Sequence, residues 1–330
     1  MITVGMTYDL KEDYRKAGFT AEAAAEFDSL ETIEAIEMAL RAIGFSVERI
    51  GNVQALVQAL GRGKRWDMVF NIAEGVKGFS REAQVPALLE AYDIPYTFSD
   101  PLVLSLALHK GMTKHLLRSL GIPTPDFYIL HSPEEMANLS LSYPLFVKPV
   151  AEGTGKGITA ASKVSHPEEL EKVCLSLFKA FDEPLLVERY LSGREFTVGI
   201  AGTGKEARCL GVMEIFLTEK AERHAYSYKN KENYRENVTY RLVEDEMAGA
   251  AADLALRTYQ ALGCRDAGRV DLRADEGGKV YLLEINPLAG LNPRHSDLPI
   301  ICALSGINFT ELIAMIMDSA LKRYKFKALL

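Results

Sequence analysis

Apolar residues recur along this chain with two different periods. Leu30, Ile33, Ile36, Leu40 and Ile43 fall at three- and four-residue steps, which marks one face of a helix. Asp28, with Glu31 three residues on, predicts a capping box at its start. Short apolar runs at residues 2–6, 45–50 and 68–72 read as strands, and residues 53–60 between the last two read as a helix. This βαβ alternation predicts a parallel sheet. A helix over residues 86–92 and a short strand at 95–97 follow. A longer helix over 104–120 stops at Gly121, with Pro123 and Pro125 beyond it. A domain boundary is placed just before that helix.

Further on, residues 127–130, 145–149 and 185–188 are strand-like, with a helix over 167–181 between the last two. Runs at 196–201 and 209–216 flank the turn Gly202-Thr203-Gly204-Lys205. Residues 219–236 are dense in charge and tyrosine and have no apolar period. A helix at 248–262 precedes two β-type runs, 268–273 and 279–286, separated by Asp275-Glu276-Gly277-Gly278, which is a hairpin signal. A helix over 309–324 closes the chain. There is no repeat and no low-complexity tract.

The 330 residues suggest two or three domains, and 48% hydrophobic with 25% charged residues is ordinary for a globular protein. A net charge of -7 argues against broad nucleic-acid binding. The four cysteines, Cys174, Cys209, Cys264 and Cys302, form no CxxC pair, so neither a zinc site nor a disulfide framework is indicated. A reduced, cytoplasmic setting is expected, with no signal peptide, membrane span or membrane partner.

Candidate chemistry concentrates on the 268–286 hairpin. Asp271 stands on one strand; Glu284 and Asn286, two apart, share a face of the other. Arg269 lies two residues before Asp271. Three oxygen ligands on a rigid hairpin suit a hard cation such as Mg²⁺, and a fixed guanidinium beside it suits phosphate chemistry. The bland reading is a set of solvated charges paired with Arg269 or Arg273. The position of Asn286, where the strand runs into a loop at Pro287, favours the metal.

Upstream, Lys148 ends a strand and is followed by Glu152-Gly153-Thr154-Gly155-Lys156-Gly157. Such a loop cradles phosphate oxygens or forms a plain turn. It is not a P-loop, because Val150 stands where a glycine is required and Gly157 replaces the hydroxyl residue. The Gly199–Glu206 segment fails the same test at Glu206 and reads as a hairpin turn. Glu188 and Glu195 flank another turn; they suit ribose hydroxyls, though spacing alone favours surface charges. No histidine spacing indicates a metal or a nucleophilic triad.

Taken in order, these segments resemble the ATP-grasp superfamily, and within it the D-alanine–D-alanine ligase family. The resemblance runs over nearly the whole chain and is strongest from Lys110 to Gly290. It is carried by His-Lys-Gly-Met-Thr-Lys at 109–114, Val-Lys-Pro at 147–149, the Glu-Gly-Thr-Gly loop, Val-Glu-Arg-Tyr-Leu-Ser-Gly-Arg-Glu-Phe at 187–196, Gly-Arg-Val-Asp at 268–271, and Leu-Leu-Glu-Ile-Asn-Pro at 282–287 with Gly290.

The resemblance implies an α/β fold of three domains: an N-terminal parallel-sheet domain at 1–102, a small ATP-grasp domain at 103–185 and a C-terminal ATP-grasp domain at 186–330. ATP would lie between the second and third. Lys110 and Lys148 would bind its phosphates, and the loop carrying Glu152, Gly153, Thr154 and Gly155 would close over them. Glu188 and the backbone around Tyr190 and Leu191 would hold adenine, and Glu195 the ribose. Asp271, Glu284 and Asn286 would bind two Mg²⁺ (or Mn²⁺) ions. Arg269 and the Gly290 N–H would stabilise an oxyanion. Residues 219–236 resemble a lid, with Lys231 aimed at the γ-phosphate.

The implied activity is an ATP-dependent carboxylate–amine ligase acting through an acyl phosphate on amino-acid or peptide substrates, as in cell-wall dipeptide synthesis. A homodimer is implied too. The first-substrate half departs from the family pattern. Thr7-Tyr8-Asp9 follows the first strand, and Glu26 or Asp28 stands in for the family's acidic residue. Glu74 occupies a histidine position, and Arg81 adds a cation. The path from Gly290 through Arg294 to Ser296 is one residue longer. Glu74, Arg81, Arg294 and Ser296 are therefore expected to decide the substrates. Alternatives are a ligase of other amino acids or of a secondary-metabolite precursor, and a non-catalytic nucleotide-binding regulator.

Overall fold

The computed structural model describes residues 1–218, 220–221 and 234–326. Its strands form three sheets. The first is parallel, in the order β2-β1-β3, from β1 (Thr3–Thr7), β2 (Ser46–Gly51) and β3 (Met68–Asn71). All four residues of β3 are buried, as expected of a parallel strand covered on both faces. The second is antiparallel and four-stranded: β4 (Phe127–Leu130), β7 (Leu185–Arg189), β5 (Leu145–Pro149) and β6 (Lys163–Val164), in that order. The third is antiparallel and five-stranded, β10-β9-β8-β11-β12, from β8 (Glu195–Ala201), β9 (Arg208–Leu217), β10 (Val238–Leu242), β11 (Ala267–Ala274) and β12 (Val280–Asn286).

The predicted helices at 30–43, 53–60, 86–92, 167–181, 248–262 and 309–324 are present within a few residues of those bounds. The helix Leu30–Ala42 buries Ile33, Ile36 and Leu40 on the face its periodicity marks. The closing helix Phe309–Arg323 returns to it: Ile313, Ile316 and Met317 share one core with Val4, Ile33 and Leu40. The chain's two ends are thus held by the same buried apolar cluster. Asp266, fully buried before β11, fastens this join by accepting from Phe98 N at 2.7 Å, Ser319 Oγ at 2.8 Å and an Arg323 guanidinium N at 2.6 Å.

Three expectations need correction. The helix over 104–120 is two helices, Pro101–Leu108 and Lys110–Ser119. His109 leaves helical geometry at ψ 86°, and its Nδ1 accepts from Met112 N at 3.2 Å, capping the second helix. Lys110 N instead donates to Val150 O at 3.0 Å, so the break is fixed by the chain just after β5. Asp28 does not cap the first long helix; Ser29 does, its Oγ accepting from Thr32 N at 3.3 Å. The strand expected at 95–97 is a single bridge from Tyr96 to Val69. The helices Lys11–Lys16, Tyr234–Asn237 and Asp297–Leu304 and the strand Val238–Leu242 were not foreseen. Among the described residues no single helix is long and apolar enough to cross a membrane.

Candidate active site

The hairpin of β11 and β12 forms as its sequence predicts. Asp275 Oδ1 accepts from Gly277 N and Lys279 N at 3.0 Å each, and Gly278 takes φ +83°, which closes the turn. The strands pair Arg269 with Asn286 and Asp271 with Glu284, and a bulge then shifts the register before Leu272 pairs with Leu282. On the other side β8 sets Thr197 opposite Asp271. Burial alternates along β11, with Val270 and Leu272 in the core and Arg269, Asp271 and Arg273 on the open face.

Those open-face groups are bound to one another. Asp271 accepts from an Arg269 guanidinium N at 2.9 Å, Thr197 Oγ1 at 3.0 Å and Asn286 Nδ2 at 3.2 Å. Arg269 also reaches Asp297 at 3.1 Å. Burial works against the Arg269 charge, but Asp271 and Asp297 outweigh it and raise its pKa further. The guanidinium is a permanent, fixed cation. Among the described residues no group of three His, Cys, Asp or Glu side chains could hold a metal; the candidate set here is two carboxylates and a carboxamide.

Two lysines and a glutamate form a buried triad beneath the hairpin. Lys148 Nζ lies 2.9 Å from Glu188 Oε1, and Lys114 Nζ 2.9 Å from Glu188 Oε2. Lys114 also donates to Leu282 O at 3.2 Å, which ties the Lys110–Ser119 helix to β12. Burial alone would raise the Glu188 pKa; the two ammonium groups bring it below the usual carboxylate range. Burial lowers Lys114 to about 8 despite Glu188. The triad carries a net positive charge on the floor of the cleft. Lys110 stands at the helix break, 3.7 Å from Glu284 and donating to Glu152 O at 2.6 Å.

The loop after β5 makes left-handed steps at Thr154, Gly155 and Gly157. Only glycine fits at 157, where a Cβ would stand 2.7 Å from the Pro149 ring. The loop is fastened to side chains from far earlier in the chain. Glu26 accepts from Gly153 N and pairs with Lys156 at 3.0 Å and Arg81 at 3.1 Å, while Arg81 also donates to Ala151 O at 2.9 Å. Lys156 pairs with Glu152 as well.

These elements enclose two cavities. The first, about 850 Å³, has Lys110, Lys148, Glu188, Glu195, Asp271 and Glu284 among its polar walls and Phe146, Ile158, Leu191, Ile215 and Leu283 among its apolar ones. Tyr190 also lines it, accepting from an Arg273 guanidinium N at 3.0 Å, and Arg273 pairs with Glu195 at 3.2 Å. The second, about 1320 Å³, opens between the first and third sheets and is lined by Arg269, Asn286, Gly290 and Ser296 at one end and by Glu26, Asp28, Glu74 and Glu82 at the other. Gly153 lines both. The hairpin therefore presents Asp271 and Glu284 to one cavity and the next same-face pair, Arg269 and Asn286, to the other. Such pairs are spaced about 7 Å apart along a strand.

Of the residues expected from sequence, the first cavity gathers Lys110, Lys148, Glu152, Gly153, Gly155, Glu188, Tyr190, Leu191, Glu195, Asp271 and Glu284. Thr154, Arg269, Asn286, Gly290, Glu74 and Ser296 line the second. Arg81 and Arg294 are not gathered with them. Arg81 turns to Glu26 and the loop's root, and Arg294 is exposed and pairs with Glu31 at 2.7 Å. Lys231 lies outside the described residues. Lys114, Thr197, Asp297 and Arg273 were not foreseen. Lys114 follows Lys110 by one helical turn, which is a readable signal; the others depend on cross-strand and loop contacts.

Comparison with known proteins follows this geometry. The family described as "D-ala D-ala ligase C-terminus" matches residues 116–318. The chain is 35% identical over 259 residues to the uncharacterized protein y4sG of Sinorhizobium fredii, covering 78% of this chain and 75% of that one. It is 32% identical over 292 residues to a D-alanine–D-alanine ligase of Aquifex aeolicus, covering 88% of this chain and 94% of that enzyme. Its fold matches a crystal structure of D-alanine–D-alanine ligase from Bacillus anthracis with a TM-score of 0.75 at 23% identity, over 98% of this chain and 99% of the other. It also matches the VanG D-Ala:D-Ser ligase of Enterococcus faecalis, with a TM-score of 0.74 at 20% identity, over 97% and 99%. At such identities the structural likeness establishes the fold, ATP-grasp.

Proposed function

This chain belongs to the D-alanine–D-alanine ligase family, and from that premise we propose that it is an ATP-dependent ligase joining the carboxylate of one amino-acid substrate to the amine of another. The supporting observation is the hairpin that bridges two cavities. One sets the apolar side chains of Phe146, Leu191, Ile215 and Leu283 beside Lys110 and Lys148, suited to a nucleotide. The other is polar and closed by a fixed guanidinium, suited to the acyl transfer.

In this reading Phe146, Tyr190, Leu191 and Ile215 enclose adenine, and Glu195, oriented by Arg273, takes the ribose hydroxyls. Tyr190 N–H is committed to Pro144 O, so the backbone at Leu191 faces the adenine edge. Glu188 has a different task from the one its spacing suggests: it anchors Lys114 and Lys148. Lys148 and Lys110 face the phosphates. Backbone N–H groups of Thr154 and Gly155 cover the γ-phosphate, while that of Gly153 is held by Glu26, and Lys231 is assigned to the γ-phosphate from the lid segment. Asp271, Glu284 and Asn286 fit Mg²⁺ or Mn²⁺, being oxygen donors at one end of a rigid hairpin, and would hold two ions. When bound, those ions supply neutralisation of phosphate charge.

The substrate carboxylate attacks the γ-phosphorus, ADP leaves, and an acyl phosphate forms. The amine of the second substrate then attacks the acyl carbon, loses a proton, and phosphate departs. Arg269 and the Gly290 N–H receive the oxyanion of that second step. Arg269 stays in place because Asp271 and Asp297 hold it from two sides. A Cβ at 290 would stand 2.9 Å from Ser296 Oγ, which keeps the Gly290 backbone open to the cavity.

The domain divisions 1–102, 103–185 and 186–330, a homodimer and a cytoplasmic setting go with this assignment; light scattering tests the dimer. The ligase assignment itself is tested by ADP release. It should require both ATP and an amino-acid pair, and Glu284→Ala should abolish it with the far-UV spectrum and melting curve unchanged. Undiminished turnover in that variant would remove Glu284 from the site.

A further inference from the structure

The two antiparallel sheets are joined by a crossover, residues 190–194, where the chain leaves β7 and enters β8. The crossover has no regular structure of its own and is tied down at both ends. Beside the four-stranded sheet, Tyr190 N donates to Pro144 O at 3.0 Å. Beside the five-stranded sheet, Gly193 N donates to Ala274 O at 2.9 Å and Ala274 N donates to Arg194 O at 2.8 Å. A Cβ on Gly193 would stand 2.7 Å from both Ala274 O and Asp275 O, so backbone lies directly on backbone there.

One side chain spans this junction. Arg273 stands on β11 directly opposite Glu195, the first residue of β8. Its guanidinium donates to Tyr190 Oη at 3.0 Å and to Gly193 O at 3.4 Å, and pairs with Glu195 at 3.2 Å. Its central carbon also lies 4.9 Å from the centre of the Tyr190 ring. A planar fork of donors can serve partners in several directions at once, which a single ammonium does poorly. Arg273, Tyr190 and Glu195 all line the first cavity. The guanidinium therefore joins a wall of the cavity and the carboxylate beside it into one unit.

A carboxylate that accepts sugar hydroxyls gains affinity from being held still, because an unfixed glutamate gives up rotamer freedom on binding. Glu195 also has a competing partner. Lys148 lines the same cavity. Burial works against the Lys148 ammonium, while Glu188 and Glu284, and then Glu195, raise its pKa. Released from Arg273, Glu195 would turn toward this phosphate-binding lysine and away from the sugar.

We infer that Arg273 is a positioning residue that makes the site select ribonucleotides: acting through Glu195, it sets the preference for a nucleotide with intact 2′- and 3′-hydroxyls. This rests on the reading of the first cavity as the ATP site and adds the residue on which its sugar selectivity depends.

The test compares ATP with 2′,3′-dideoxy-ATP, both with Mg²⁺, by titration calorimetry for affinity and by release of the nucleoside diphosphate for turnover. A hydroxyl donating to a fixed carboxylate is worth about tenfold in affinity, so the wild-type protein should favour ATP by at least that factor. Arg273→Met should remove most of this preference, with the loss falling on the KM and dissociation constant for ATP and not on kcat. Glu195→Gln should do the same, and adding Arg273→Met to it should remove nothing more. Arg273→Lys keeps the charge without the fork and should fall between wild type and Arg273→Met. Tyr190→Phe takes a single oxygen from the network and should lower the preference by a smaller factor, with the melting curve unchanged. A wild-type protein that binds both nucleotides equally would overturn the inference. So would a preference unmoved in Arg273→Met or, where that variant does not fold, unmoved in both Arg273→Lys and Tyr190→Phe. Equal weakening of both nucleotides, the mark of a merely structural residue, would overturn it too. No turnover with any amino-acid pair, alongside a binding preference for ATP that Arg273→Met loses, would overturn the ligase reading and keep the role of Arg273.

Discussion

Replacing Lys114 with methionine probes the cleft floor, where the structure adds most to the sequence. Lys114 is 1% exposed, and its Nζ is 2.9 Å from Glu188 Oε2. At an effective dielectric constant of about 20, unit charges at that distance attract by roughly 6 kcal/mol, much of it offset by the desolvation of both groups. Removing one partner of a buried pair usually costs about 3–5 kcal/mol. The lower figure applies here, because Lys148 still faces Glu188 at 2.9 Å. At about 2.1 cal/mol/K of unfolding entropy per residue over 330 residues, Lys114→Met should lower the melting temperature by roughly 4 °C. The KM for ATP should rise as well, since the floor loses its net positive charge. Glu188→Gln should be the more damaging change, leaving two enclosed ammonium groups opposed. Thermal unfolding followed by circular dichroism, with and without ATP, is the assay. A Lys114→Met melting temperature within about 2 °C of wild type would refute the triad as a structural element.

Two further outcomes follow from the same geometry. Arg269→Lys keeps one charge but loses the fork shared between Asp271 and Asp297, so kcat should fall about 10²–10³-fold with the KM for ATP within a few-fold of wild type, since Arg269 faces the second cavity; an unchanged kcat would exclude it from oxyanion stabilisation. Burial raises the folded-state pKa of Asp28 and Glu82 to about 7 each, above unfolded values near 4, so the folded protein holds protons that the unfolded chain has released. Their stabilising contribution is present at about pH 4 and is lost as the pH rises through 7. Differential melting of the Asp28→Asn, Glu82→Gln double variant against wild type, without ligand, should therefore show a gap that grows in the variant's favour from pH 4.5 to 7.5, and a pH-independent gap would contradict the assignment.

The hairpin was legible because every local signal agreed. Alternation set the faces of both strands, and the Asp-Glu-Gly-Gly turn set their first pairs; the bulge between Asp271 and Leu272, which brings Asp271 opposite Glu284, had no such local signal. The glycine loop and Lys148 were legible for a similar reason, lying within one strand and its following turn. What failed depended on partners far along the chain. Apolar periodicity runs straight through His109, and nothing local marks the break that Val150 O imposes on Lys110 N. Glu188 looked like a surface or ribose carboxylate, because its two lysine partners come from a helix and a strand elsewhere. Arg81 was placed among the substrates for its charge and its position in the loop. In the structure it instead joins Glu26 to the loop root at Ala151, 70 residues on in sequence. The acidic end of the second cavity was hidden likewise, since Asp28, Glu74 and Glu82 meet only when the first sheet folds.

The account depends most on an acyl phosphate formed between the two cavities. A substrate carboxylate labelled with ¹⁸O, incubated with ATP and the amine partner, tests that step directly. One labelled oxygen should appear in the inorganic phosphate, in step with ADP and ligated product, and the transfer should vanish in Glu284→Ala. Product formation accompanied by unlabelled phosphate, or by AMP and pyrophosphate in place of ADP, would contradict it.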